Sequence, residues 1–151
     1  VSIAFSLSGR LPVRTLCLYI PSQIIGALLA SGLLHLLFPA NTLLGATLPA
    51  GSAMQSFRLE LILTFLLMLV IMGVSTGSKE QGLFAGLAIG AVILLEAMFA
   101  GPICGASMNP ARSLAPALIS GHIECLWVYL TAPVAGAALA IPIWKYLNIK
   151  K

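Results

Sequence analysis

Residues Gly101-Pro-Ile-Cys-Gly-Ala-Ser-Met-Asn-Pro-Ala-Arg-Ser-Leu-Ala-Pro-Ala-Leu118 form a stretch too apolar for a surface loop and too broken by Gly and Pro for a membrane span. It opens on a helix-breaking pair, Gly101-Pro102, passes through Gly105, and restarts as a helix at Asn109. Asn is a good N-cap, and Pro110 takes the first helical position, where its missing N–H costs nothing. A short helix therefore starts inside an apolar region with its positive dipole end beside Asn109 and Arg112. Backbone is irregular at membrane depth only where protein buries it or where it lines a water-filled cavity. The stretch reads as a re-entrant segment on a pore.

Composition supports a membrane setting. The chain is 60% hydrophobic and 8% charged, against about 25% charged residues in soluble domains. Long apolar segments run roughly over Thr15–Phe38, Leu59–Val74, Leu83–Ala100 and Cys125–Leu147, each near the ~20 residues that cross a bilayer. Nothing between them is large enough for a soluble domain. Residues 1–151 are expected to form a single all-α transmembrane domain whose main partner is membrane lipid. The formal charge of +4 is spread over span ends without a cluster, which excludes a nucleic-acid surface.

The placement of the basic residues predicts orientation. Arg10 and Arg14 precede the first span, Lys79 lies between the second and third, and Lys145, Lys150 and Lys151 close the last. The connection Pro39–Phe57 carries no Lys or Arg. By the positive-inside rule both chain ends and the Ser75–Gln81 turn are cytoplasmic, while Pro39–Phe57 and the segment around Asn109 lie outside. Arg112 breaks this pattern, and an arginine in an apolar re-entrant segment is a functional candidate.

An internal repeat sharpens the reading. Val1-Ser-Ile-Ala-Phe-Ser-Leu-Ser-Gly9 aligns with Arg112-Ser-Leu-Ala-Pro-Ala-Leu-Ile-Ser-Gly121 with one gap. Leu18–Ala30 then aligns with Val128–Ala140, with Tyr19, Gly26, Ala27, Leu29 and Ala30 matched by Tyr129, Gly136, Ala137, Leu139 and Ala140. The predicted topology starts the first copy from the cytoplasm and the second from outside. Inverted repeats of this kind are common in transport proteins, with the working site where the repeats meet. The second copy is preceded by Asn-Pro-Ala, so the repeat predicts an Asn-Pro-Ala immediately upstream of Val1. Residues 1–9 read as the remnant of a first half-helix, and 101–120 as the re-entrant loop and second half-helix.

Several residues carry a family resemblance: Gly105-Ala-Ser-Met-Asn-Pro-Ala-Arg-Ser113, Glu60 within Leu59-Glu-Leu-Ile-Leu-Thr-Phe65, the Gly-rich third span, and Val1-Ser-Ile-Ala-Phe5 followed by Gly9-Arg10. In these the chain resembles the major intrinsic protein family, the aquaporins and aquaglyceroporins, over essentially its whole length. The resemblance implies an aquaporin-like inverted-repeat helical bundle, here with about four spans plus re-entrant half-helices and without the first two spans. It further implies a homotetramer in the plasma membrane. By the same resemblance Asn109, Pro110 and Ala111 form the pore motif, and Arg112, Ala106 and Ala97 the selectivity filter. Backbone carbonyls of Gly105 and Ser107 would line one wall, with Glu60 as a structural support accepting loop N–H groups. Alanine at both Ala97 and Ala106 implies a wide opening. Ser113 stands where glycerol facilitators usually have Asp. Together with Ala106, Arg112, Ala117 and Tyr129-Leu130 it resembles the nodulin-like subgroup, which passes water, glycerol and undissociated metalloid acids.

Other residues have competing readings. Glu60 fits a proton relay or the structural acceptor that the resemblance favours. Glu96 would tune the outer pore, pair with a missing span, or lie at a subunit interface, with the interface ranked first. His35 and His122 read as interfacial. Gly82, Gly86 and Gly90 recur every four residues and predict close helix packing. Cys17, Cys104 and Cys125 show neither a disulfide framework nor metal spacing, and Cys104 is expected near the pore wall within reach of a mercurial. No nucleophile–base pair or phosphate loop is present, so neither an enzyme nor a cofactor is expected. The expected function is a passive channel for water and small neutral solutes. Its alternatives are a strict water channel, a coupled transporter using Glu60 and Glu96, and a non-conducting truncated remnant.

Overall fold

An apolar run in lipid must satisfy its own backbone N–H and C=O groups, which makes it a helix. The computed structural model, which describes residues 1–75 and 82–148, follows this rule. Among the described residues there are six helices and no strand: α1 (Ser2–Leu7), α2 (Val13–Leu37), α3 (Ala53–Ser75), α4 (Ala85–Cys104), α5 (Pro110–Ser120) and α6 (Leu126–Leu147). The helices α2, α3, α4 and α6 are long and apolar enough to cross a membrane. Lys79, Lys150 and Lys151 lie outside the described residues, as does nearly all of the Ser75–Gln81 turn.

Two boundaries differ from expectation. The helix α3 begins at Ala53 rather than Leu59, because the Ser52 hydroxyl accepts the Gln55 N–H at 3.1 Å as an N-cap. Ser52-x-x-Gln55 has the spacing of a capping box. The helix α4 does not stop at Gly101-Pro102 but runs through them to Cys104. Pro102 removes only one donor in the last turn. Termination falls instead to Gly105, whose φ of 84° is left-handed and whose N–H bonds the Gly101 carbonyl at 2.9 Å. The last carbonyls of α4 find outside partners, Ile103 from the Ala50 N–H at 3.0 Å and Cys104 from the Tyr129 hydroxyl at 2.8 Å.

Core packing centres on α3 against α6. The buried residues of α3 recur every three or four positions, with Leu63, Leu67, Met68 and Met72 among the largest. The facing stripe of α6 is mostly small: Ala132, Gly136, Ala137 and Ala140. Small residues let helix backbones approach closely in a membrane. At Gly136 they do, since a Cβ there would run into the Leu61 carbonyl oxygen. The close packing expected at Gly82, Gly86 and Gly90 is not made within this chain, for each faces open space. A glycine stripe only offers a groove, and a helix must have its backbone directed at it.

The repeat is visible in the packing. The half-helix α1 rests on α6 as well as on α2, and α5 rests on α2 as well as on α6, so each half-helix is shared between the spans of both copies. Burial breaks this symmetry: 44% of the apolar window of α6 is buried, against 6% of its counterpart in α2. Arg10 stacks over the Trp144 ring at 5.0 Å, at the same end of α6 as Lys145.

Candidate functional site

The half-helix α5 starts as its sequence dictates. Asn109 is extended at φ −150° and ψ 113°, its side-chain oxygen accepts the Ala111 N–H at 3.1 Å, and Pro110 follows at the first turn. With that oxygen committed to the cap, the Asn109 amide nitrogen is the group left to donate to a ligand.

Ahead of it, the re-entrant backbone is held in unusual conformations. Ala106 and Met108 are left-handed at φ 41° and 52°, which non-glycine residues rarely adopt. Glu60, wholly buried on α3, holds this turn: one carboxylate oxygen accepts the Ser107 N–H at 2.7 Å and the other the Met108 N–H at 2.8 Å. Both acceptor atoms are consumed by backbone, which favours the structural reading of Glu60 over a proton relay.

Beside this turn lies a cleft of about 560 Å³. The start of α1 (Val1 and Ser2) and the start of α5 (Asn109 and Pro110) both border it, so the two half-helices point at one space. Ile20, Ile24, Leu67, Ile71, Ile89 and Ile93 supply apolar wall, while Ser2, Gln23, Ser107, Asn109 and Arg112 supply polar side chains. Among the described residues, Arg112 is the one lining side chain with a fixed charge. Its Nη1 donates to the Gly45 carbonyl at 2.6 Å, in the connection between α2 and α3.

Other expected site residues fall elsewhere. Ala106 is buried, Gly105 packs against Thr47, and Ala97 is exposed on α4; none of the three borders the cleft. Glu96 is 3% exposed, which takes it off the outer face of this chain and away from the interface placement ranked first. Neither acid, Glu60 nor Glu96, reaches the cleft. Cys104 is wholly buried with its thiol toward the Ala100 carbonyl, so the expected mercurial access from the cleft is closed. Nearness to the loop in sequence could not show this, because the left-handed turn at Gly105 separates Cys104 from the cleft-lining residues that follow.

Sequence reasoning missed the connection between α2 and α3. The Asn41 side chain accepts N–H groups from Leu43 and Leu44 at 3.1 and 3.0 Å, an Asx-type turn. Leu44 and Gly45 follow at φ 50° and 76°, and this turn presents the Gly45 carbonyl that meets Arg112. Asn41 ahead of Gly45 was a legible turn signal; its target was not. Thr47 carried no signal at all, and Ser113 was read only for its subgroup resemblance, not as the partner of Thr47.

Comparison with known proteins agrees with this arrangement. The family model described as major intrinsic protein matches residues 1–144. The chain is 50% identical over 151 residues to aquaporin NIP1-1 of Zea mays, an alignment covering 99% of this chain and 53% of that protein. It is 49% identical over 147 residues to nodulin-26 of Glycine max, covering 97% and 54%. The chain thus spans about half the length of the curated relatives it matches. Its fold matches the aquaglyceroporin of Plasmodium falciparum with a TM-score of 0.87 at 23% identity, over 99% of this chain and 71% of that one. Half-helices converging on one cleft, an Asn-capped Pro-Ala-Arg start and a family match over nearly the whole sequence lead to one assignment: the chain belongs to the major intrinsic protein family.

Proposed function

We propose that the chain forms one wall of a passive, multi-pass channel for water and small neutral solutes, including glycerol, urea and undissociated metalloid acids. The observation that carries this reading is the cleft itself: apolar walls, a ladder of neutral polar groups, and a single fixed positive charge at Arg112. Asn109 donates to the oxygen of a passing solute, and the positive end of α5 disfavours cations beside it. Arg112 supplies fixed donors at the outer constriction, and Ser107 borders the same cleft beside it. Neutral solutes trade bulk-water partners for these groups, whereas an ion loses hydration that nothing in the cleft restores. The name of the maize relative, aquaporin, supports a channel for water.

A coupled transporter would need an acid on the path, and both candidate acids lie off the cleft. The assembly proposed is a homotetramer in the plasma membrane. The bare face of α2, set against its covered counterpart in α6, supports completion of the pore by further helices. The test is light scattering of proteoliposomes under osmotic and glycerol gradients. It compares this chain alone with a chimera that adds the N-terminal half of the maize relative. Faster volume change in the chimera supports the channel; no acceleration in either leaves the non-conducting reading.

Arg112→Ala in the conducting form is expected to raise the permeability of larger or charged solutes relative to water. About tenfold corresponds to a barrier lowered by about 1.4 kcal/mol. Stopped-flow flux of urea and of a small cation reads it, and unchanged ratios would remove Arg112 from the filter.

A further inference from the structure

A hydroxyl carries one proton, so a closed run of hydroxyls has a direction once one end is assigned. Thr47 donates to the Ser113 oxygen at 2.7 Å. Ser107 donates to the Asn109 carbonyl at 3.0 Å, which uses its only proton. Ser113 and Ser107 are themselves in close hydrogen-bond contact. Ser113 therefore donates to Ser107, and the chain runs one way: Thr47 to Ser113 to Ser107 to the carbonyl of Asn109. Thr47 is 7%, Ser113 0% and Ser107 6% exposed, so water meets this chain only at its edge, where Ser107 borders the cleft. In such a place a fully satisfied polar network rigidifies what it joins.

We propose that Thr47, in the connection between α2 and α3, is a positioning residue for the Asn109–Arg112 site and so contributes to solute selection from outside the pore. Geometry places it at the junction of three constraints. Its hydroxyl heads the chain that ends on Asn109. Its side chain packs on Gly105, where a Cβ would come within 3.0 Å of the Thr47 Cβ. Two residues away, Gly45 accepts from Arg112, and Ser113 is the next residue after Arg112 in sequence. Glu60 anchors Ser107 and Met108 from the α3 side. Thr47 anchors the same turn from the connection between α2 and α3. Losing the Thr47 hydroxyl leaves Ser113 without its donor and frees the chain to reverse, which loosens both Asn109 and Arg112.

The selectivity readout rests on the channel reading, so a second measurement does not. Thr47→Val keeps the branched shape against Gly105 and removes only the hydroxyl; Thr47→Ser restores it. In the conducting chimera, Thr47→Val is expected to shift the glycerol-to-water permeability ratio by about fivefold, the factor one hydrogen bond is worth, and Thr47→Ser to return it. In the chain itself, hydrogen–deuterium exchange is expected to rise over 105–113 and stay unchanged over 63–72. An unshifted ratio with unchanged exchange overturns the proposal, as does a shift that Thr47→Ser fails to reverse. A rise in exchange spread equally over α3 also overturns it, by making Thr47 a general stabiliser. If the unsubstituted chimera conducts neither solute, the channel reading fails, and exchange over 105–113 alone decides the role of Thr47.

Discussion

Glu60→Gln is expected to release the re-entrant turn and lower the melting temperature of the detergent-solubilised chain by about 10 °C, from a loss of about 3 kcal/mol. The Ser107 and Met108 N–H groups each reach one oxygen of the carboxylate, at 2.7 and 2.8 Å. An amide offers one oxygen and one NH2 group, so one of these buried N–H groups would face another donor. The other would keep an acceptor, but a neutral and weaker one. Neither N–H has water to fall back on, because Glu60 is wholly buried and Ser107 and Met108 nearly so. The left-handed conformations of Ala106 and Met108 would also lose the bonds that hold them. Limited proteolysis within 105–109 should appear in the variant and not in the parent chain. An unchanged melting temperature would show that the carboxylate is not what holds the turn.

Gly136→Ala is expected to be comparably damaging, costing about 3 kcal/mol as an overpacked core contact. The added methyl would meet the Leu61 carbonyl oxygen and approach the Phe65 nitrogen at 3.1 Å. These are backbone atoms of a helix, so α3 and α6 must separate as a unit rather than repack one side chain. Separation would also strain Tyr129, which lies wholly buried on the same stripe and donates to the Cys104 carbonyl. The repeat supplies an internal control. Gly26 is the counterpart of Gly136, yet nothing lies within 4 Å of a Cβ placed on it. In this chain Gly26→Ala should be neutral or stabilise by up to about 1 kcal/mol through helix propensity. Equal losses at both positions, measured by thermal unfolding, would mean that the α3–α6 contact is not what makes glycine necessary.

Much of the fold was legible because lipid leaves so few choices. An apolar run of sufficient length must be a helix there, so the spans follow from hydropathy alone. The Asn109-Pro110 start was equally legible, since capping chemistry is local and needs only neighbouring residues. Boundaries were harder: Ser52-x-x-Gln55 lies among residues that read as loop, and Gly101-Pro102 reads as a stop although Gly105 is the one used. The glycine stripe Gly82, Gly86, Gly90 and the single Gly136 show the same limit in packing, because a groove in one helix says nothing about which backbone enters it.

The sequence by itself determined the class of molecule, the polarity of the half-helix at Asn109 and the existence of two related halves. These rest on backbone satisfaction, local capping and periodicity, none of which needs a distant partner. Only the tertiary structure decided which groups hold the site. Glu60 lies 47 and 48 positions from the N–H groups it accepts, Gly45 lies 67 from Arg112, and Thr47 lies 66 from Ser113. The physical reason is that a hydrogen bond depends on positions and directions in space. Where the chain doubles back through a left-handed turn, neighbours in sequence such as Cys104 and Ser107 part company, and residues from opposite ends of the chain share one cleft.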